Sequence, residues 1–398
     1  MQRKFLSDEC PNYKCLEMYL AQGRFGDLPD EKLHKLQHEQ ANNKIVFEEM
    51  RSKNIELFKL DTENVAEKVL QDLAGLALPT RYDSPWGYQQ ISLLIQKVKG
   101  AAKDLGLEVG LFPLHATLPT GQVNAMAVNL PCSSKAFLLF DPELLTFCNI
   151  LSKLYAQCLT ANVESRSGNK KILRAVIESS PEIPIRLKGV LEAFVKTGRP
   201  GTSPPFSVDT SSIRLSNILR TSMEVFVVAH EFGHVYAGHL SELLSKLHMA
   251  APVISLPTSH VQEFEADYFG LVLTVFALKK EGYELRHILG AIKLFFSSLD
   301  LAKRYADFKA YGSSRKFVSE ASDTHPSNES RKKAIDEAIE SFNAESDDLE
   351  LAQQFYSLID ESTDLLWCAM TSKAKKIGSN DLCPCGSTKK YKRCCRVK

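Results

Sequence analysis

The chain has 398 residues, 44% of them hydrophobic and 24% charged, which is the composition of a globular protein and excludes a disordered or fibrous one. The 49 Lys and Arg against 48 Asp and Glu give a net charge of +1. That figure hides an asymmetry, because residues 371–398 hold nine basic residues and one acid (+8), which leaves −7 on the body. At this length a single core rarely suffices, so a large domain with appendages is expected.

No apolar run reaches the roughly 18 residues of a spanning helix. The start, MQRKFLSDECPNYKC, has charges and cysteines where a secretory leader needs an apolar stretch, so a cytoplasmic protein is expected. Ten cysteines are too sparse for a disulfide scaffold, and four of them fall in the last 16 residues, a clustering that points to metal.

Residues 1–83 read as an N-terminal helical region, with helix-period apolar positions in LPDEKLHKLQHEQ and FEEMRSKNIELFKL. Cys10, Cys15, His34 and His38 are read there as incidental side chains of exposed helices, not as a zinc site. The main domain is expected over 84–370. It opens with an amphipathic helix over 84–107, ending near Gly106. Three strand-like pieces follow, LEVGLF, QVNAMAV and KAFLLF, separated by LPTG and Pro131. They predict a small sheet, read as antiparallel. A helix over 141–159 has Asp141 at its N-cap and Pro142 in its first turn. The Pro-, Gly- and Ser-rich segment 198–212 reads as a surface loop.

The next helical stretch, 221–240, carries His230-Glu231-Phe232-Gly233-His234, an H-E-x-x-H pattern. Two His at i, i+4 lie about 40° apart around a helix, so both imidazoles face one side and suit two tetrahedral positions of zinc. Glu231 lies beside them as a candidate general base. His239 sits about 140° from His234 on an extended helix and reads as a surface or supporting histidine. The apolar helix 261–280 brings Glu263 and Asp267, again at i, i+4. Glu263 is the expected third ligand, and Asp267 the group that orients a ligand His. Glu265 points about 200° away from Glu263.

HEFGH followed by EFEAD resembles the gluzincin metallopeptidases of the CAAX-prenyl-protease and HtpX type. QVNAMAV, with Asn124 and Ala125, resembles that family's edge-strand segment, and AFLLFDPELL the strand and helix start after it. THPSNESR resembles its late Thr-His-Pro segment. The resemblance covers roughly residues 84–340 and lies on the side of soluble members. It implies an α+β, mainly helical zincin-type fold with a small edge-exposed sheet. It implies a zinc endopeptidase, with zinc on His230, His234 and Glu263. By the same resemblance His325 stabilises the oxyanion, Arg331 orients it or binds substrate, and the Asn124–Ala125 strand holds an extended peptide.

Residues 371–381 read as a linker. In 382–398, Cys383-Pro384-Cys385, then eight residues, then Cys394-Cys395 supply four thiolates to a structural zinc. The pattern resembles the SEC-C motif, with Thr388 in place of the usual Gly. The motif implies a basic docking knob for an acidic protein or the ribosome, while the acidic body argues against a broad nucleic-acid surface. Two readings of the whole chain follow: a peptidase of cytoplasmic proteins recruited through its tail, or a catalytically silent or tightly regulated scaffold acting through that tail.

Overall fold

A computed structural model describes residues 4–22, 48, 51–53, 55–57, 59, 65–107, 112–118, 120–165, 169–240, 260–312, 318–322, 325–340, 342, 346–371, 390 and 393. Among them the chain is mainly helical with one small sheet. The helices are α1 (Pro11–Gln22), α2 (Val65–Gly75), α3 (Pro85–Asp104), α4 (Pro142–Ser165), α5 (Lys170–Ser179), α6 (Glu182–Thr197), α7 (Thr210–Tyr236), α8 (His260–Lys280), α9 (Leu285–Tyr311), α10 (Asn328–Glu340) and α11 (Ser346–Thr371). The strands are β1 (Leu114–Thr117), β2 (Ala125–Val128) and β3 (Phe137–Phe140). Among the described residues no helix is long and apolar enough to cross a membrane.

Local chemistry accounts for the boundaries. Ser84 caps α3, its Oγ accepting from Gly87 N at 3.2 Å, and Gly106 follows the helix at φ +69°. Asp141 caps α4 by accepting from Glu143 N at 2.8 Å. Its other oxygen accepts from Thr120 Oγ1 and from Gly121 N (2.8 Å), tying the β1–β2 turn to the helix start. Ser327 Oγ accepts from Ser330 N and starts α10.

The sheet differs from expectation in one way. Its order is β1-β3-β2, with β1 parallel and β2 antiparallel to β3, so it is mixed. β3 thus lies between β1 and β2, and Asp141, directly after it, accepts hydrogen bonds from the β1–β2 connection at Thr120 and Gly121. The first described strand is Leu114–Thr117, and residues 108–111 of the LEVGLF segment lie outside the described residues. Leu107 and Phe112 pack against the main core, and Phe112 stacks on Phe232 of α7 with centroids 4.9 Å apart.

The main core joins α3, α4, α6, α7, α8, α9 and α11, with α7 at its centre: 19 of its residues are buried. A second core lies on the other face of the sheet, where Tyr13, Leu16 and Leu20 of α1 meet Phe137 and Leu139. It spans the expected boundary between residues 83 and 84. Cys15 is disulfide-bonded to Cys132 across a separation of 117 residues. Cys15 is therefore no incidental helix cysteine: the packing of α1 on the sheet brings it to the β2–β3 connection, a long-range pairing with no local signal.

Candidate metal centre

The centre is built where α7 crosses α8. Small residues set that crossing. A Cβ on Gly233 would stand 3.0 Å from Phe269 Cβ and 3.2 Å from Ala266 Cα, and one on Gly270 would stand 3.3 Å from His230 Cα. Gly233, Ala266 and Gly270 thus let the two backbones approach, which carries the acids of α8 to the histidines of α7.

His230, Glu231, His234, Glu263 and Asp267 are all buried. His230 Nε2 and His234 Nε2 are 3.1 Å apart, His234 Nε2 lies 3.4 Å from Glu263 Oε1, and His230 Nε2 lies 3.6 Å from Glu263 Oε2. Donors bound tetrahedrally at ~2.0–2.2 Å from zinc stand about 3.3–3.5 Å apart, so the three donors already have ligand spacing. Among the described residues this trio is the group of His, Cys, Asp or Glu that could hold a metal ion.

The protons agree with the distances. His230 Nδ1 is 2.9 Å from Asp267 Oδ1. A carboxylate only accepts, so the proton sits on Nδ1 and the Nε2 lone pair faces the site. The 3.4 Å approach of Arg331 Nη2 to the same Nδ1 is then a contact between two donors and not a hydrogen bond. Arg331 instead grips Asp267 through Nε (2.7 Å) and Nη2 (2.6 Å), reaches Glu263 Oε2 at 3.5 Å, and lies 4.6 Å over the Phe296 ring. Three buried carboxylates (Glu231, Glu263, Asp267) against one guanidinium sum to −2, the charge that one divalent cation neutralises.

Burial alone would raise the carboxyl pKa values. At Asp267 it is outweighed by Arg331, and at Glu263 by His234, His230 and Arg331, so both carboxyls are held below their ordinary range. Glu231 is pushed up, because desolvation there exceeds the help from His230 and His234. Burial lowers His230, but Asp267 outweighs it and the net direction is up.

Sequence reasoning placed these residues together by helical spacing and read His239 as a surface or supporting residue, of which the supporting place is the one found; the roles of Arg331 and Glu265 need revision. Arg331 does not reach outward to a substrate: its side chain is 10% exposed and braces Asp267 and Glu263. His239 is 6% exposed, with Nδ1 3.0 Å from His234 Nδ1 and Nε2 3.1 Å from Glu265 Oε2. Glu265, turned away on the helical wheel, is therefore part of the centre. The missed signal was Gly238 (φ +73°), which ends the helix and swings His239 round.

His325 stands at the rim, its side chain half exposed and Nε2 3.6 Å from Glu263 Oε1. Asn124 immediately precedes β2, and its carbonyl accepts from Asp141 N at 3.0 Å. Ala125 begins β2, an edge strand that packs on α7. A separate cavity of about 1100 Å³ opens beside the N-terminal half of α7, lined by Trp86, Arg220, Glu224 and Tyr283 among others, away from the His–Glu trio. Three of its cations face acids on its own wall: Lys97 with Glu281, Arg220 with Glu224, and Arg286 with Glu284.

These features define a protein with a buried His2Glu constellation that could hold a metal ion. Comparison with known proteins adds one feature at the other end of the chain. The family model for the SEC-C motif matches residues 380–396. The expected ligands Cys383, Cys385, Cys394 and Cys395 lie outside the described residues. No curated protein and no solved structure matches the chain.

Proposed function

We propose that this chain is a zinc-dependent endopeptidase of the gluzincin type, acting on protein substrates in the cytoplasm and recruited through its basic SEC-C tail. The observation that carries this reading is Glu231, a buried carboxylate that forms no salt bridge among the described residues and lies next to His230 of a trio with tetrahedral ligand spacing. A scaffold has no chemical need for it.

His230, His234 and Glu263 would hold zinc, which when bound would supply Lewis-acid polarisation of a water and of the scissile carbonyl. Glu231 takes the proton of the attacking water on its carboxylate and passes it to the departing amine nitrogen. Its raised pKa suits both halves of that transfer. His325 at the rim offers a ring N–H to the oxygen that gains negative charge. The free side of β2 adds a substrate strand through backbone hydrogen bonds, which demands little of the substrate's sequence. In the tail, four thiolates hold a second, structural zinc, and the surrounding Lys and Arg dock an acidic partner such as a protein or the ribosome.

Glu231→Gln tests the reading. The variant should bind zinc at the trio as the wild type does, lose peptide hydrolysis by about a hundredfold or more, and retain uncut substrates that a proteome-wide capture can identify. Unchanged biological activity with zinc still bound would refute the peptidase and leave the silent scaffold. Elemental analysis should give two zinc ions per chain, one lost on replacing His230 and His234 and the other on replacing Cys394 and Cys395.

A further inference from the structure

We propose that Glu265 and His239 form a positioning relay that fixes the tautomer of His234, so that its Nε2 presents a lone pair to the metal. The inference rests on the reading of His230, His234 and Glu263 as a metal site.

The argument is proton accounting along a chain of three groups. The Glu265 carboxylate only accepts, so His239 Nε2, 3.1 Å away, carries a hydrogen. A neutral imidazole has one N–H, so His239 Nδ1 presents a lone pair. The atom facing it at 3.0 Å is His234 Nδ1, which must therefore donate. His234 Nε2, 3.1 Å from the His230 Nε2 lone pair and 3.4 Å from Glu263 Oε1, is then the nitrogen that binds a cation at the trio, a proton in the metal-free protein or the metal in its place.

The backbone is arranged to deliver this contact. After α7 ends at Tyr236, Gly238 takes φ +73°, a left-handed conformation that favours glycine. The chain then curls back, and His239 N donates to the carbonyl of His234 itself at 3.1 Å. The two rings meet edge to face with centroids 5.2 Å apart. Glu265 belongs to the same helix as Glu263 and Asp267. One helix thus supplies a ligand, the support of His230, and the end of the support of His234.

The two supports are unequal. His230 is backed by a buried carboxylate that Arg331 grips with two hydrogen bonds. His234 is backed by an imidazole whose carboxylate is 50% exposed. His234 is accordingly the weaker donor, and removing its support should lower metal affinity without emptying the site.

The test uses the full-length protein with 15N-labelled histidine. Long-range 15N–1H spectra of the metal-free form report each imidazole's tautomer, and chelator competition reports zinc affinity at the trio. The wild type should show a hydrogen on His234 Nδ1, assigned by its disappearance in His234→Gln. In His239→Ala the tautomer should become mixed and zinc affinity fall by about tenfold. His239→Asn should restore both, because its amide oxygen occupies the place of Nδ1 and accepts the same hydrogen. Glu265→Ala, on a half-exposed side chain, should shift the tautomer while the fold is retained. A His234 Nδ1 without hydrogen in the wild type, or equal zinc affinity in wild type, His239→Ala and Glu265→Ala, would overturn the relay. Zinc content unchanged by His230→Gln would instead overturn the metal reading, and the tautomer would still report on the relay.

Discussion

Replacing Arg331 by Met removes the one buried cation among Glu231, Glu263 and Asp267 while keeping an unbranched apolar side chain over Phe296. Two short charge-assisted hydrogen bonds to Asp267 disappear, and the metal-free centre goes from −2 to −3. Leaving a buried carboxylate without its partner costs about 3–5 kcal/mol. Loss of the cation–π contact adds ~1 kcal/mol. Asp267, released from its brace, also ceases to hold His230 in register, so zinc affinity should fall by about tenfold or more. The assay is urea unfolding in the presence of chelator, followed by the fluorescence of Trp86 and Trp367, the chain's two tryptophans. The midpoint should drop by about 1 M or more. Arg331→Lys should fall between, because an ammonium keeps the charge but lacks the two-pronged grip on Asp267. A metal-free Arg331→Met protein within ~1 kcal/mol of the wild type would refute the assignment of Arg331 as the countercharge.

Gly270→Val should weaken zinc binding at the trio by more than about tenfold, with Gly270→Ala milder, as chelator competition would show; a first carbon already stands 3.3 Å from His230 Cα, and two more force the helices apart. Reducing the Cys15–Cys132 bridge, or replacing Cys132 by Ser, should lower stability by about 2–4 kcal/mol in denaturant unfolding, since the bridge spans 117 residues. The buried Asp83 carboxyl is raised to about 6 by desolvation, against hydrogen bonds from Thr117 and Thr80. A raised acid contributes stability that is full below its unfolded value near 4 and is lost as pH rises through 6. The protein should therefore be about 1–2 kcal/mol more stable at pH 5 than at pH 8 from this group, and Asp83→Asn should flatten that slope in urea titrations.

Much of the centre was legible because it is written at helical spacing. His230 with His234, and Glu263 with Asp267, are i, i+4 pairs within single helices, and the helices themselves were plain from apolar periodicity. What the spacing does not carry is which faces meet. Arg331 read as a group for His325 or substrate, since nothing in THPSNESR says that α10 packs its first turn against Asp267. The sheet failed for a similar reason. Three short apolar runs in succession suggest neighbours in order, whereas β3 lies between the other two and Asp141 after it binds the β1–β2 turn from 20 residues away, an order that nothing local in the runs carries. The Cys15–Cys132 bridge depends on that arrangement as well.

The relay was hidden by an assumption about where a helix stops. If α7 continued through 240, His239 would lie about 140° from His234 and the two rings could not meet. Gly238 ends that geometry, and the residue after it folds back onto the last turn. Glu265 then gains a partner although it lies far around α8 from Glu263, because His239 comes round to it. The −7 of the body takes a local meaning at this crossing. Three of its acids are buried with one arginine, a fourth pairs with His239 from the surface, and the net −2 inside is the charge that a divalent ion would neutralise. The acids are thus placed for a cation, and the small residues of the seam set how close they come to it.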